Sequence, residues 1–102
     1  MAKPTPPEYV EIPEDTRHVV RETRLLVGLS RATLEQRAKV GTDYLKKLEL
    51  GRRPSAEAAR LRRVLQVVQQ AAARGNAPAK LTARIARVVK AIAKPGRPTA
   101  AP

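Results

Sequence analysis

Cysteine is absent from this chain of 102 residues, and histidine occurs only once, as His18. Disulfide bonds and cysteine-based metal sites are therefore excluded, and one histidine cannot build a zinc site by itself. The sequence also has no histidine–nucleophile pair, phosphate-cradling glycine loop or paired carboxylate site. We accordingly expect neither an enzyme nor a bound metal or cofactor.

Aromatic side chains are scarce and long hydrophobic runs are missing. The chain has two tyrosines, Tyr9 and Tyr44, and neither tryptophan nor phenylalanine. Proteins that bind single-stranded RNA stack bases on aromatic side chains, so this mode of binding is disfavoured. No stretch has the length and apolar character of a membrane span or a signal segment. We therefore expect a cytoplasmic, nucleoid-associated protein without a membrane partner.

Acidic residues are missing from the second half of the chain. Residues 58–102 carry ten cations and no acid, residues 17–57 have a net charge of +5, and residues 1–16 have a net charge of −3. The whole chain carries +12. Such a basic body predicts a polyanionic partner, which could be DNA, RNA or an anionic membrane.

Glycine and proline divide the chain into helical segments, and no segment has the pattern of a strand. Ser30 is a good cap for the second helix, while Gly28 and Gly51 are good terminators. The predicted helices are approximately Asp15 or Thr16 to Val27, Arg31 to Lys39, Thr42 to Leu50, Pro54 or Ser55 to Ala73, and Ala79 to Lys94.

Two of these helices are joined by a short turn that contains Gly41, which is the pattern of a helix-turn-helix. The predicted fold is all-α: a compact helical bundle with a helix-turn-helix, made of four core helices plus a C-terminal amphipathic helix. The chain divides into an extended acidic, proline-rich head (1–16), a helix-turn-helix DNA-binding domain (17–74), a basic amphipathic helix (75–94) and a disordered tail (95–102).

Residues 28–55 read GLSRATLEQRAKVGTDYLKKLELGRRPS. This segment resembles the lambda repressor/Cro-type helix-turn-helix family, and the resemblance extends over about residues 17–70. Two positions depart from the family pattern. Glu35 stands where a small residue is usual, and Lys39 stands where the turn glycine is usual. The matching positions are Gly28-Leu29-Ser30, Leu34, Val40, Leu45, Leu48-Glu49, Gly51 and Pro54-Ser55.

The third predicted helix has an apolar side and a polar side. At about 100° per residue, Leu45 and Leu48 fall on one side and the polar residues on the other. A recognition helix enters the major groove, where lysine can donate to guanine and aspartate can accept from cytosine. The alternative is that Asp43 and Lys47 only pair with each other on a solvated surface. The predicted base-reading residues, which the resemblance also implies, are Thr42, Asp43, Lys46 and Lys47.

Contacts with the DNA backbone are expected around this helix. Arg31 begins the second helix, where the family often contacts a phosphate, and free N–H groups at a helix start attract phosphate. Tyr44 could instead pack in the core, and the two arginines after the third helix could be solvated loop charges. The predicted phosphate contacts are Ser30, Arg31, Tyr44, Arg52 and Arg53. The resemblance further implies a structural salt bridge between Arg24 and Glu49.

The last predicted helix is amphipathic. One face carries lysines and arginines, and the apolar face consists of Leu81, Ile85, Val88, Val89 and Ile92. Such a helix can lie on a membrane, cover a core or pair with its own copy. Without tryptophan or phenylalanine as anchors the membrane is disfavoured. We expect dimerisation or core-capping, with the basic face towards DNA.

These observations predict a sequence-specific DNA-binding transcriptional regulator of the repressor type, from a phage, plasmid or prophage or acting as an antitoxin. It would bind double-stranded DNA as a homodimer, on half-sites about 34 Å apart. Two alternatives remain open. One is a low-specificity, nucleoid-type architectural protein, and the other is an adaptor that binds RNA polymerase or another protein through the same fold.

Overall fold

The structure is a computed structural model that describes residues 9–52 and 55–93. Predictions for residues 1–8, for Arg53, and for Lys94 and the tail 95–102 fall outside these residues. Five helices and two short strands occur in the described part. In chain order they are β1 (Tyr9–Glu11), α1 (Thr16–Val27), α2 (Arg31–Ala38), α3 (Tyr44–Glu49), β2 (Ser55–Glu57), α4 (Ala58–Arg74) and α5 (Ala79–Ala93).

The limits of the first two helices follow from local sequence signals. Gly28 ends α1 in the left-handed conformation, with φ 71°, which glycine adopts at little cost. Ser30 then caps α2, because its hydroxyl oxygen accepts a hydrogen bond of 3.1 Å from the Thr33 N–H. The predicted end of α1 at Val27 and the predicted start of α2 at Arg31 are therefore confirmed.

The strand pair and the limits of α3 and α4 differ from the prediction. β1 and β2 pair antiparallel, with Val10 opposite Ala56, so residues 55–57 are extended and α4 begins at Ala58 instead of near Pro54. Each strand has three residues, too few to show an alternating pattern, and its partner is distant in sequence. α3 begins at Tyr44 instead of Thr42, because Asp43 has a positive φ of 69° that a right-handed helix does not allow.

The core lies around α4, which packs against α1, α2 and α5. The apolar face of α5 closes this core: Ile85 is fully buried, and Val89 packs against the cluster from a half-buried position. Of the two roles predicted for α5, core-capping is therefore the one that the fold contains. The other buried residues on this face are Leu81, Val88 and Ile92.

A cluster of charges also attaches α5 to α1. Arg84 donates two hydrogen bonds to the Asp15 carboxylate, at 3.0 and 2.8 Å, and two to Glu22, at 2.9 and 3.1 Å. The hydrogen bonds from Arg84 hold the pKa of Asp15 below its usual value, and the two carboxylates raise the pKa of Arg84. Arg84 belongs to the basic face of α5 that was expected to point towards DNA. In the structure it stabilises the fold instead.

Within residues 9–52 and 55–93, no helix combines the length and the apolar composition needed to cross a membrane.

Candidate nucleic-acid interface

α3 presents a polar ridge above a buried apolar base. Leu45 and Leu48 are buried, whereas the four predicted base-reading residues are all exposed. Asp43 and Lys47 form no ion pair, and neither side chain makes a hydrogen bond with any described residue. The structure therefore does not contain the alternative arrangement, in which Asp43 and Lys47 only pair with each other. The exposed ridge consists of Thr42, Asp43, Lys46 and Lys47.

The N-terminal end of α3 is capped by a side chain from α2. Glu35 is 8% exposed, and its Oε2 accepts a hydrogen bond of 2.9 Å from the Leu45 N–H. Unpaired N–H groups at a helix start need such an acceptor, and a negative charge there also suits the helix dipole. Glu35, which departs from the family pattern, thus fastens α3 to α2. The only sign of this contact in the sequence is that Glu35 stands where the family usually has a small residue.

The C-terminal end of α2 is capped by a side chain from α4. Arg63 Nε donates to the Ala38 carbonyl at 2.8 Å, and its Nη2 donates to the Lys39 carbonyl at 3.2 Å. Lys39 itself has φ 58°, so it adopts the left-handed conformation for which the family uses glycine. The turn therefore keeps its geometry without glycine at this position. Sequence reasoning missed Arg63, because nothing distinguishes it from the neighbouring arginines.

Glu49 anchors α3 to both of the preceding helices. Arg24 donates to it through Nε at 2.8 Å and Nη2 at 3.0 Å, a two-point contact that matches the planar guanidinium to the carboxylate. The predicted pair is therefore present. Arg31 adds a third hydrogen bond of 3.2 Å from its Nε. The Glu49 side chain is almost completely buried, whereas that of Arg31 is 40% exposed.

The predicted phosphate-contacting residues lie in different environments. Arg52 and Ser30 are exposed, Arg31 is partly exposed, and Arg53 is outside the described residues. The predicted phosphate contact of Tyr44 is wrong. This residue is 4% exposed and its hydroxyl oxygen is buried, so Tyr44 belongs to the core and does not face a phosphate. The alternative, that Tyr44 packs in the core, is the one that the structure contains.

The interface has the chemistry of a polyanion-binding surface. Lysine and arginine side chains donate hydrogen bonds to phosphate and to base edges, and the fixed ends of α3 hold these donors on a rigid element. Among the described residues no three histidine, aspartate or glutamate side chains come together as metal ligands.

No protein-family model, curated protein or solved structure matches this chain. The resemblance to lambda repressor/Cro-type proteins therefore rests only on the sequence pattern of about residues 17–70.

Proposed function

We propose that this protein is a sequence-specific DNA-binding regulator that inserts α3 into the major groove. The observation that carries the proposal is an exposed polar ridge that lies on, and just before, a helix fixed at both ends. Glu35 holds the start of α3 and Glu49 holds its last turn, while Leu45 and Leu48 are buried. Such fixing is what base readout requires, because hydrogen bonds to base edges depend on position.

The size and charge of the region suit a duplex. α3 has six residues and is about 9 Å long. An α-helix with its side chains is about 10–12 Å across, which fits a major groove about 12 Å wide. Arg31, which is partly exposed beside Glu49, and Arg52, which follows α3, are cations that can contact phosphates on either side of the ridge. Phosphate contacts position the protein, and base contacts select the sequence.

The charge of the C-terminal half supports a second candidate, a low-specificity architectural protein. Residues 58–102 have a net charge of +10, and exposed cations on α5 include Lys80, Arg87 and Lys90. Their binding energy would come from the backbone of any duplex. An adaptor that binds RNA polymerase through the same ridge is the third candidate, and it would need no DNA at all.

A selection from random duplexes distinguishes these candidates. The purified chain is mixed with a random double-stranded library near physiological salt, and the bound pool is sequenced. The regulator yields a motif, which is palindromic if the protein binds as a dimer. Tight binding without a motif supports the architectural protein, and absence of binding supports the adaptor.

Two single substitutions test the role of the ridge itself. Lys47→Ala should change which bases are selected, because Lys47 lies on the ridge. Arg52→Ala should weaken all duplexes alike and reduce the slope of log K against log salt by about 0.9, the value for one lost phosphate contact. A uniform loss of affinity in both variants would contradict the assignment of α3.

The proposed regulator acts as a homodimer, and its dimer contact has to lie outside the apolar face of α5. Leu81, Ile85 and Ile92 are buried in their own chain, so this face is not available to a second copy.

A further inference from the structure

A groove with two arginines on its rim lies where α2, the C-terminal half of α4 and the end of α1 meet. Two adjoining cavities of about 260 and 370 Å³ form it, and both are lined by Arg37, Ala71 and Arg74. Val67 and Leu29 lie in the groove as half-buried apolar residues that pack against the core. Arg37 and Arg74 are exposed, and within the described residues their side chains make no hydrogen bond or ion pair.

A complementary surface lies on β1. Tyr9 is 64% exposed and Glu11 is also exposed, and alternate residues of a strand point to the same side. Among the described residues Glu11 forms no ion pair. This head face, defined as Tyr9 and Glu11, therefore combines a large apolar ring with a free carboxylate.

The head face and the groove lie at opposite ends of α4. β1 pairs with Ser55–Glu57, directly before α4 begins, whereas Arg74 is the last residue of α4. The 17 residues of α4 separate the two surfaces by about 25 Å. The head face of one chain therefore cannot occupy the groove of the same chain. In two chains with antiparallel α4 helices, however, the end that carries the head face of one chain lies beside the end that carries the groove of the other.

We propose that the protein forms a two-fold symmetric dimer in which the head face of each copy occupies the Arg37–Arg74 groove of the other. The Tyr9 ring lies on the apolar floor, and Glu11 pairs with the two arginines. Guanidinium groups bind carboxylates in a two-point geometry, and a two-fold axis repeats the contact twice. This contact is the dimer contact of the proposed regulator. In this respect alone it rests on the proposed function.

A second copy is favoured because it supplies the missing partner for both surfaces at once. Most other acids of the described chain are already engaged: Asp15 and Glu22 with Arg84, Glu35 with a backbone N–H, and Glu49 with two arginines. Neither the head face nor the groove includes a residue of the polar ridge. The dimer contact therefore does not use the ridge.

Reversal of charge on one surface at a time tests this contact. Full-length chains that carry Arg37→Glu with Arg74→Glu, or Glu11→Arg, are compared with the unmodified chain by sedimentation equilibrium without nucleic acid. Each variant should dimerise at least about tenfold more weakly, because like charges now face each other. An equal mixture of the two variants should dimerise again, since every contact in the mixed dimer joins opposite charges.

A matched control and a direct probe complete the experiment. Lys80→Glu with Lys90→Glu makes the same change in net charge as the arginine reversal, away from both surfaces, and should leave dimerisation as it is. Tyr9 is the exposed tyrosine and Tyr44 is buried, so nitration of Tyr9 should slow as the dimer forms. Circular dichroism establishes that each variant is folded.

Three results would overturn the proposal: a monomer at all concentrations, a dimer that neither reversal weakens, or two weakened variants that do not combine in the mixture. Open-ended oligomers would overturn the two-fold arrangement. Since no DNA is present, these results are independent of whether the protein selects a DNA sequence.

Discussion

At the scale of single residues, Lys39 shows how this chain makes the turn after α2. Its backbone lies in the left-handed region, with φ 58°, where a side chain costs about 1–2 kcal/mol. The Arg63 guanidinium offsets part of this cost, because it donates hydrogen bonds to the carbonyls of Ala38 and Lys39. A residue that looks unsuitable in the sequence is therefore supported by a contact from α4.

Lys39→Gly should raise the free energy of unfolding by about 0.5–1 kcal/mol. Glycine relieves the left-handed strain, and its greater freedom in the unfolded chain cancels only part of that gain. Urea denaturation measures the change. Gln36→Gly is the control: Gln36 lies inside α2 with an exposed side chain, so glycine there should destabilise by about 1 kcal/mol. Equal losses in both variants would contradict the left-handed conformation of Lys39.

Loss of either Arg24 or Glu49 should destabilise the domain by about 3 kcal/mol, because the remaining charge stays partly buried without the two-point contact between them. Arg31→Ala should cost less, about 0.2–1 kcal/mol, since the Arg31 side chain is 40% exposed. Thermal and urea denaturation of the three variants provide the comparison. If Arg31→Ala proved as costly as Arg24→Ala, the partly exposed arginine would be the main anchor of Glu49.

The sequence predicted some residue roles and could not have predicted others. Ser30 acts on a residue three positions away, so local spacing is enough to identify it. Glu35 and Arg63 act on backbone groups in other helices, and nothing near them in the sequence indicates those partners. The Arg24–Glu49 pair was reached only through the family resemblance, because its members lie 25 positions apart.

At the scale of elements, the helices could be predicted but the strands could not. Apolar residues at steps of three and four predict α4 and α5, and glycine predicts the end of α1. β1 and β2 depend on each other across more than forty residues, and neither carries a local pattern. The start of α4 was misplaced for the same reason, since the pairing keeps Ser55 in an extended conformation.

The attachment of α5 to α1 should weaken in acid. The pKa of Asp15 is lowered in the folded protein by hydrogen bonds from Arg84, so the unfolded chain binds a proton more readily. The contribution is complete above the ordinary pKa of about 3.9, and it is lost as the pH falls from there towards the folded value. The urea midpoint should therefore fall below about pH 4.

Asp15→Asn isolates this contribution, because the amide does not titrate. The variant should show a smaller fall of the midpoint with pH than the unmodified chain. Glu14→Gln is the matched control, since Glu14 is the neighbouring acid and has no ion pair among the described residues. An unchanged pH dependence in Asp15→Asn would mean that Asp15 does not couple to Arg84 in solution.

At the scale of the whole molecule, α5 completes a core that the first four helices leave open. Ile85 and Ile92 are among the largest fully buried side chains, and each such residue contributes about 1.5–3 kcal/mol when buried. Four buried residues of α5 together approach the 5–15 kcal/mol that a whole domain has available. The sequence predicted a DNA-binding domain and a separate C-terminal helix. In the structure both contribute to one core.

A chain that ends at residue 78 should fail to unfold cooperatively, because it lacks α5 and exposes the side of α4 that α5 covers. Ile85→Ala in the full chain is the milder test and should cost about 2–5 kcal/mol. Calorimetry and near-ultraviolet circular dichroism check both. A shortened chain that melted in one sharp transition at the midpoint of the full chain would show that the first four helices are sufficient.

The contact between Arg84 and Asp15 joins residues 69 positions apart, and this separation sets an order of events during synthesis. The ribosome releases α1 to α4 well before α5, so the nascent chain holds an unfinished hydrophobic surface for the time needed to add the last helix. Translation at about 5–20 residues per second makes that interval on the order of seconds. During it, α1 and α4 are exposed to chaperones and to other nascent chains, and the native state becomes accessible only after α5 has been synthesised.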